Sequence, residues 1–163
     1  MPFNREAPVK KELQEIIFES CPLLYSDRNK SINESAIAWG IQCADGWFDL
    51  ILELSVKLER LVISFIDENK NTIPCMWCGG KEQDKHINCG PNKRFEPRHP
   101  KADCVKEKFA SLRMCLSYET DEMANLISEY EDRSQTICED CGKTGSVKGK
   151  AWLRTQCDSC ESK

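Results

Sequence analysis

The chain has only two histidines, His86 and His99, among its 163 residues. A cysteine or serine nucleophile ordinarily needs a histidine base, so this scarcity leaves little room for a hydrolase or nuclease of that design. Long apolar runs are missing too. Uncharged stretches reach no further than ten residues, as from Ser35 to Ala44, about half of a membrane span. There is no excess of positive charge: the net charge is −4 and the pI near 5.3, which argues against a general nucleic-acid binder. Residues 1–11 already carry Arg5, Glu6, Lys10 and Lys11 with no apolar segment after them. A secretory signal is therefore not expected, and a cytoplasmic location, where thiols stay reduced, is.

Against these gaps stand 11 cysteines. In a reducing compartment such a number points to metal rather than to disulfides. Charge is also uneven. Residues 1–72 carry 8 basic and 12 acidic side chains, residues 81–108 carry 8 and 5, residues 109–133 carry 2 and 6, and residues 134–163 carry 5 and 4. Both cysteine-rich segments are thus the less acidic parts, as solvated zinc modules often are.

Periodicity outlines an α+β fold around a long central helix. A first helix is predicted over about 8–19, with Val9, Leu13, Ile16 and Ile17 on one stripe and Pro8 in its first turn. Residues 25–33 read as a polar loop and 36–43 as a short buried strand. Asp45 is a candidate cap for a helix over about 46–67. Trp47, Leu50, Ile51, Leu54, Leu58, Leu61, Val62 and Phe65 recur there at steps of three and four. Leu52, Val56, Ile63 and Ile66 add a second apolar face, so burial on more than one side is expected. Residues 105–118 alternate as strand, with Ala110-Ser111 as the turn of a hairpin and a Glu107–Arg113 pair across it. A third helix is predicted over about 121–134, capped by Thr120, with Met123, Leu126, Ile127 and Tyr130 as its stripe. The resulting organisation is a helical region over 1–72, a zinc-binding insert over 73–100, a hairpin and helix completing the core over 101–135, and a zinc ribbon over 136–163.

Two cysteine patterns carry the chemistry. Cys138-x2-Cys141 and Cys157-x2-Cys160 are separated by fifteen residues, a spacing that reads as a four-thiolate zinc site. Thiolates two residues apart can turn back onto one ion about 2.3 Å away, and Gly142 relieves the crowded turn behind the second sulfur. Four thiolates leave no open coordination position, so a structural rather than catalytic ion is expected. The segment between them, 146–154, suits a short hairpin.

In the middle of the chain, Cys75-x2-Cys78-Gly79 and His86-x2-Cys89-Gly90 repeat one half-pattern. Cys75, Cys78, His86 and Cys89 are the predicted ligands of a second zinc ion, with His99 or Cys104 as alternatives to His86. The insert has few apolar residues, and a structural zinc contributes roughly 10–16 kcal/mol in comparable modules. The remaining cysteines, Cys21, Cys43, Cys104 and Cys115, are expected to pack as small apolar side chains.

The segments CPLLYSDR, AWGIQCADGWFDLI, HPKADCVKEKFASLRMCLSY and CEDCGKTGS…AWLRTQC, in that order, resemble a family of small, uncharacterised tailed-phage and prophage proteins. The resemblance covers most of the chain apart from residues 73–96. It rests on a C-x-D-G-W turn into a helix, a V-K-E-K-F-x-x-L-R segment and a C-terminal CxxC…CxxC module. Ala44 and Ala110 stand where the family pattern has glycine, and Cys115 where it has an aromatic residue. Asp45, Trp47, Lys106, Glu107, Lys108 and Arg113 fall on its motif positions. The resemblance implies a virus-encoded protein acting in the bacterial cytoplasm.

The expectation for function is a zinc-stabilised, non-enzymatic interaction protein that binds a bacterial host protein, with no membrane and no small-molecule substrate. Blocking of a defence or transcription component is one such role. The alternative is a nucleic-acid-binding ribbon using Lys143, Lys148, Lys150, Trp152 and Arg154, where Trp152 would stack on a base. A hydrolase using Asp45, Glu107 and Lys108 ranks last, because nothing pairs a nucleophile with a base at recognisable spacing.

Overall fold

A computed structural model describes residues 9–70, 72–87, 89 and 95–162. Pro8 and Gly90, which figure in the sequence patterns, lie outside these. Among the described residues, four α-helices and four strands follow in the order α1 (Lys11–Ser20), α2 (Phe48–Asn69), β1 (Ala102–Lys108), β2 (Ser111–Leu116), α3 (Asp121–Ser134), β3 (Ser146–Lys148), β4 (Arg154–Gln156) and α4 (Asp158–Glu161). The fold is α+β, with two separate two-stranded antiparallel sheets, β1–β2 and β3–β4.

Helix α2 is central because its apolar residues follow the helical period. Leu50, Ile51, Leu54, Leu58 and Val62 are buried along one stripe, the geometry of an amphipathic helix rather than a fully enclosed one. The expected second face is only half-buried at Leu52, Val56 and Ile66, and Ile63 is exposed. Two polar residues lie on the buried stripe. Ser55 Oγ is 2.8 Å from the Tyr25 hydroxyl, and Glu59 accepts the Leu23 and Leu24 amides at 3.0 and 2.7 Å. Of the polar loop read over 25–33, residues 29–33 are exposed turn, but its first residue, Tyr25, belongs to the buried segment 21–28. Leu24 and Tyr25 are buried in it, and Lys101 pairs with its Asp27 at 2.9 Å.

Residues 36–43 do not form the expected strand. Ala36–Trp39 is a 3-10 turn, and Gly40 at φ 78 bends the chain out of extension. The Gln14 side chain takes the Ile41 amide at 2.9 Å. Only Gln42 joins the sheet, in a parallel bridge to Lys106. Asp45 is not the cap of α2, which has none from a side chain. Its carboxylate instead accepts the Lys10 amide at 2.8 Å and pairs with Lys10 Nζ at 3.1 Å, tying α1 to the start of α2.

The β1–β2 hairpin turns one residue earlier than the alternation predicted. Lys108 pairs with Ser111, and the two turn residues, Phe109 and Ala110, both have positive φ, 56 and 61. That is the turn whose twist suits a tight hairpin, normally built with Asn or Gly. Arg113 stands opposite Lys106 and is held by Glu131 at 2.9 Å. Helix α3 has the expected bounds and Thr120 cap, whose hydroxyl accepts the Met123 amide. It lies against α2 and the edge of β2, where Ser134 Oγ accepts the Leu112 amide at 2.8 Å. Segments 9–62 and 102–130 share one apolar core.

Candidate metal centres

The first cysteine knuckle of each group is built by the same backbone device. Gly79, at φ 71, donates to Cys75 O at 2.9 Å; Gly142, at φ 74, donates to Cys138 O at 2.8 Å. A left-handed residue closes the turn and leaves both sulfurs on its inner side, a conformation glycine adopts without steric cost. The donor atoms of Cys75, Cys78, His86 and Cys89 lie within 4.8 Å of one another, and so do those of Cys138, Cys141, Cys157 and Cys160. These two groups can hold metal ions.

In the middle group His86 presents Nδ1 to the sulfurs, 3.4 Å from Cys78 and 3.3 Å from Cys89. Its Nε2 is 2.7 Å from Lys81 O, so the proton belongs on Nε2 and the Nδ1 lone pair faces the cluster. That outer hydrogen bond is the usual way a ligating imidazole is oriented. The alternatives to His86 are used elsewhere. Both ring nitrogens of His99 face backbone carbonyls, Pro97 O at 3.0 Å and Leu23 O at 3.1 Å. Cys104 stands opposite Cys115 in the β1–β2 sheet. The frame of the insert is polar: Met76 N donates to Glu96 O, Cys75 N to Gly80 O, and Trp77 Nε1 to Glu96 at 2.7 Å.

Electrostatics prepare one sulfur in each group. Burial works to raise the Cys75 thiol, but backbone amides at Glu96, Trp77 and Cys78 outweigh it and bring Cys75 down to about 6. Cys157 is likewise brought to about 7, against burial, by the backbone and thiol of Cys160 and by Cys141 and Cys138. The protons collect on a partner sulfur. Cys89 rises to about 12 through Cys78 and burial, and Cys160 to about 12 through Cys141 and Cys157. A cation displaces those protons, since thiolate is the ligating form.

The second group is not a free-standing module. Its first knuckle sits on the entry to α2, where Gly46 donates to Glu139 O at 2.7 Å, Ala44 to Glu139 Oε1 at 2.9 Å, and Trp47 Nε1 to Ile137 O at 2.7 Å. Strand β4 touches the β1–β2 turn through Thr155 Oγ1, which donates to Ala110 O at 2.6 Å. The C-x-D-G-W segment is thus the seat of the ribbon, a role that the helix-cap reading of Asp45 missed. The only sequence signal for it was the pairing of glycine with a large aromatic.

The residues of the nucleic-acid alternative divide. Lys148 and Arg154 face each other across the β3–β4 ribbon and are committed to carboxylates. Lys148 binds Asp158 and Glu161, and Arg154 binds Asp140 at 2.9 Å. These partners, Asp158 first, hold the Lys148 ammonium well above its ordinary range. Trp152 is 64% exposed, and Lys143 and Lys150 are exposed. Of the hydrolase set, Asp45 is paired with Lys10, Glu107 accepts the Ala110 amide at 2.6 Å, and the Lys108 ammonium lies over the Phe109 ring at 5.3 Å. Among the described residues no helix is long and apolar enough to cross a membrane.

The fold and its two groups define a small α+β protein with two cysteine-rich groups that can hold metal ions. No family model, curated protein or solved structure matches the chain.

Proposed function

We propose that the chain is a zinc-stabilised interaction protein, without catalytic activity, that binds and modulates a bacterial host protein. The observation that carries this is the tip of the β1–β2 hairpin. Phe109 is 74% exposed on a turn whose two residues are both left-handed without being glycine. Such residues cost on the order of 1–3 kcal/mol each and persist where the site has a use for them. A large ring held there in solvent contributes nothing to the core and offers a ready anchor for a partner.

The ribbon extends the same surface. Thr155 meets Ala110, and its cross-strand neighbour Val147 shares its face. Val147, Trp152 and Leu153 are exposed apolar residues. Lys108, whose ammonium lies over the Phe109 ring, and the exposed Lys150, two residues before Trp152 in the chain, add cationic groups, so the complementary surface is apolar with an acidic rim. Zinc is the ion of this reading, because a set of four thiolates and a set of three thiolates with one imidazole both favour tetrahedral coordination by soft donors. The phage-family resemblance supplies the bacterial cytoplasm as the setting and a host defence or transcription component as the kind of target.

The test is retention from a bacterial lysate on the tagged, metal-loaded protein. A host protein is expected at near-stoichiometric yield, lost on a Phe109→Ala, Trp152→Ala double variant that melts like the wild type. The absence of such a partner, or equal retention by the variant, overturns the proposal. The exposed Trp152 beside Lys150 keeps a nucleic-acid ribbon as the second reading. It requires affinity for DNA or RNA that falls steeply across a salt series.

A further inference from the structure

A third pair of sulfurs lies outside both metal groups. In the β1–β2 sheet Cys104 is directly opposite Cys115. Val105, Met114 and Leu116 are buried, and side chains alternate along a strand. Cys104 and Cys115 therefore share the outward face, with Lys106 and Arg113 as the next pair along it. Both cysteines are half-buried and unbridged.

Hydrogen-bond parity sets their spacing. Val105 O accepts from Gln42 N, and Glu107 N donates to Gln42 O. The backbone groups of Val105 and Glu107 are thus turned away from β2, and those of Cys104 and Lys106 face it. Cys104 and Cys115 form a hydrogen-bonded cross-strand pair, for which the Cα separation is about 5.5 Å. That falls within the range of roughly 4.4–6.8 Å that a disulfide spans.

We infer that Cys104 and Cys115 are a thiol–disulfide modification site, closed by a small-molecule disulfide. One thiolate attacks a sulfur of the reagent, RSSR; its S–S bond breaks and RS⁻ leaves. The opposite thiolate then attacks the protein sulfur of the mixed disulfide and expels the second RS⁻. Two protein thiols are oxidised by two electrons, one RSSR is reduced to two RSH, and the two protons end on the released thiols. The second step needs no chain movement beyond a rotamer, since the partner is already held opposite, so it outruns capture by a second reagent molecule.

The other cysteines are set apart by their surroundings. Seven belong to the two metal groups. Cys21 and Cys43 are wholly buried. Burial first, and then the neighbouring Cys115 thiol, push Cys104 up to about 11, while Lys106 works the other way. Closure therefore proceeds faster as pH rises, because the thiolate is the attacking form. The bond would lock β1, which holds Gln42 and Leu24, to β2, which is docked on α3.

Closure of this pair does not depend on what binds the hairpin tip. Its test is incubation of the metal-loaded protein with oxidised glutathione at mildly alkaline pH, read by intact mass, peptide mapping and metal content. The expected product has lost two hydrogens, contains a Cys104–Cys115 peptide link and retains both ions. Cys104→Ser and Cys115→Ser should each stop at a single glutathione adduct, which shows that the remaining thiol is reachable and that closure needs the partner. Stable glutathione adducts on the wild type, unmodified thiols under the same conditions, or first oxidation at the metal-group cysteines with loss of metal would each overturn it.

Discussion

Gly46 is pressed against the backbone of the cysteine knuckle that carries Glu139. Its amide donates to Glu139 O at 2.7 Å, and a Cβ at this position would lie 2.3 Å from Cys138 O, 2.4 Å from Glu139 O and 2.6 Å from Cys141 N. All three neighbours are backbone atoms, which cannot swing aside as a side-chain end can. The contact joins the start of the longest helix to the first half of a metal group 92 residues further along the chain, the separation from Gly46 to Cys138.

Gly46→Ala should therefore separate the ribbon from the core. Overpacking of this kind costs typically 1–3 kcal/mol, and loss of the Gly46–Glu139 hydrogen bond adds roughly 1 kcal/mol. A fall of about 2–4 kcal/mol in unfolding free energy is expected from urea titration, together with weaker retention of the second ion under a chelator. A variant within 0.5 kcal/mol of wild type, by the usual scale of neutral surface changes, would contradict the packing.

The two metal groups should respond differently to removal. His86→Ala and Cys138→Ser are each expected to lower bound zinc from about two ions per chain to about one, on the four-ligand rule. The consequences then diverge. The middle group is framed by its own insert, so its loss should disorder residues around 75–87 and spare the core. The second group seats Gly46 and Trp47, so its loss should also broaden the signal of the buried Trp47 indole. Amide and indole NMR spectra, with elemental analysis, check both; equal effects of the two variants would show that the seating is unimportant.

Glu59 offers a separate test inside the core. It is a buried carboxylate on α2, and both of its oxygens accept amides of the 21–28 segment. Glu59→Gln keeps the shape but leaves one acceptor for two donors. Hydrogen bonds to a charged group contribute about 1.5–3 kcal/mol each, so a loss of about 2 kcal/mol is expected in urea unfolding. Glu59→Leu should cost more, because both amides then lose their acceptor. The order Leu worse than Gln is the diagnostic result, and its reversal would mean that the carboxylate is not what fixes the segment.

Local chemistry made some of this legible in the sequence and left the rest hidden. Helix α3 and its Thr120 cap, the helical stripe of α2 and the eight clustered donors are written in short-range spacing. The errors fell where a distant group overrides a local preference. Asp45 has the look of a cap, yet Lys10, 35 residues away, takes its carboxylate. Tyr25 sits among polar residues, yet Ser55 and Glu59 draw its segment inward. Nothing in an alanine signals φ 61, and the one hint of a left-handed turn at Ala110 was the glycine of the family pattern; the twist of the paired strands suits that turn.

Acid should weaken the junction of α2 and α3 through Glu53. Hydrogen bonds from Tyr130 first, then Arg133 and Lys57, hold its carboxyl down to about 2, from 4.5. A carboxyl whose folded value is depressed contributes stability that is complete above its unfolded value and lost as pH falls through the folded one. The window here is from 4.5 down to about 2. Glu131 acts in the opposite sense, since burial raises it, and its protonation relieves a cost on acidification. Glu53→Gln isolates the first effect. Its penalty at neutral pH should be below about 1 kcal/mol, because the site is exposed and screened by salt. The gap between variant and wild type should close as the pH is lowered through that window and narrow at neutral pH in high salt. Urea midpoints measured from pH 7 to pH 3 provide the check. A gap that is unchanged across this range would mean that the Tyr130 and Arg133 contacts do not bear on stability.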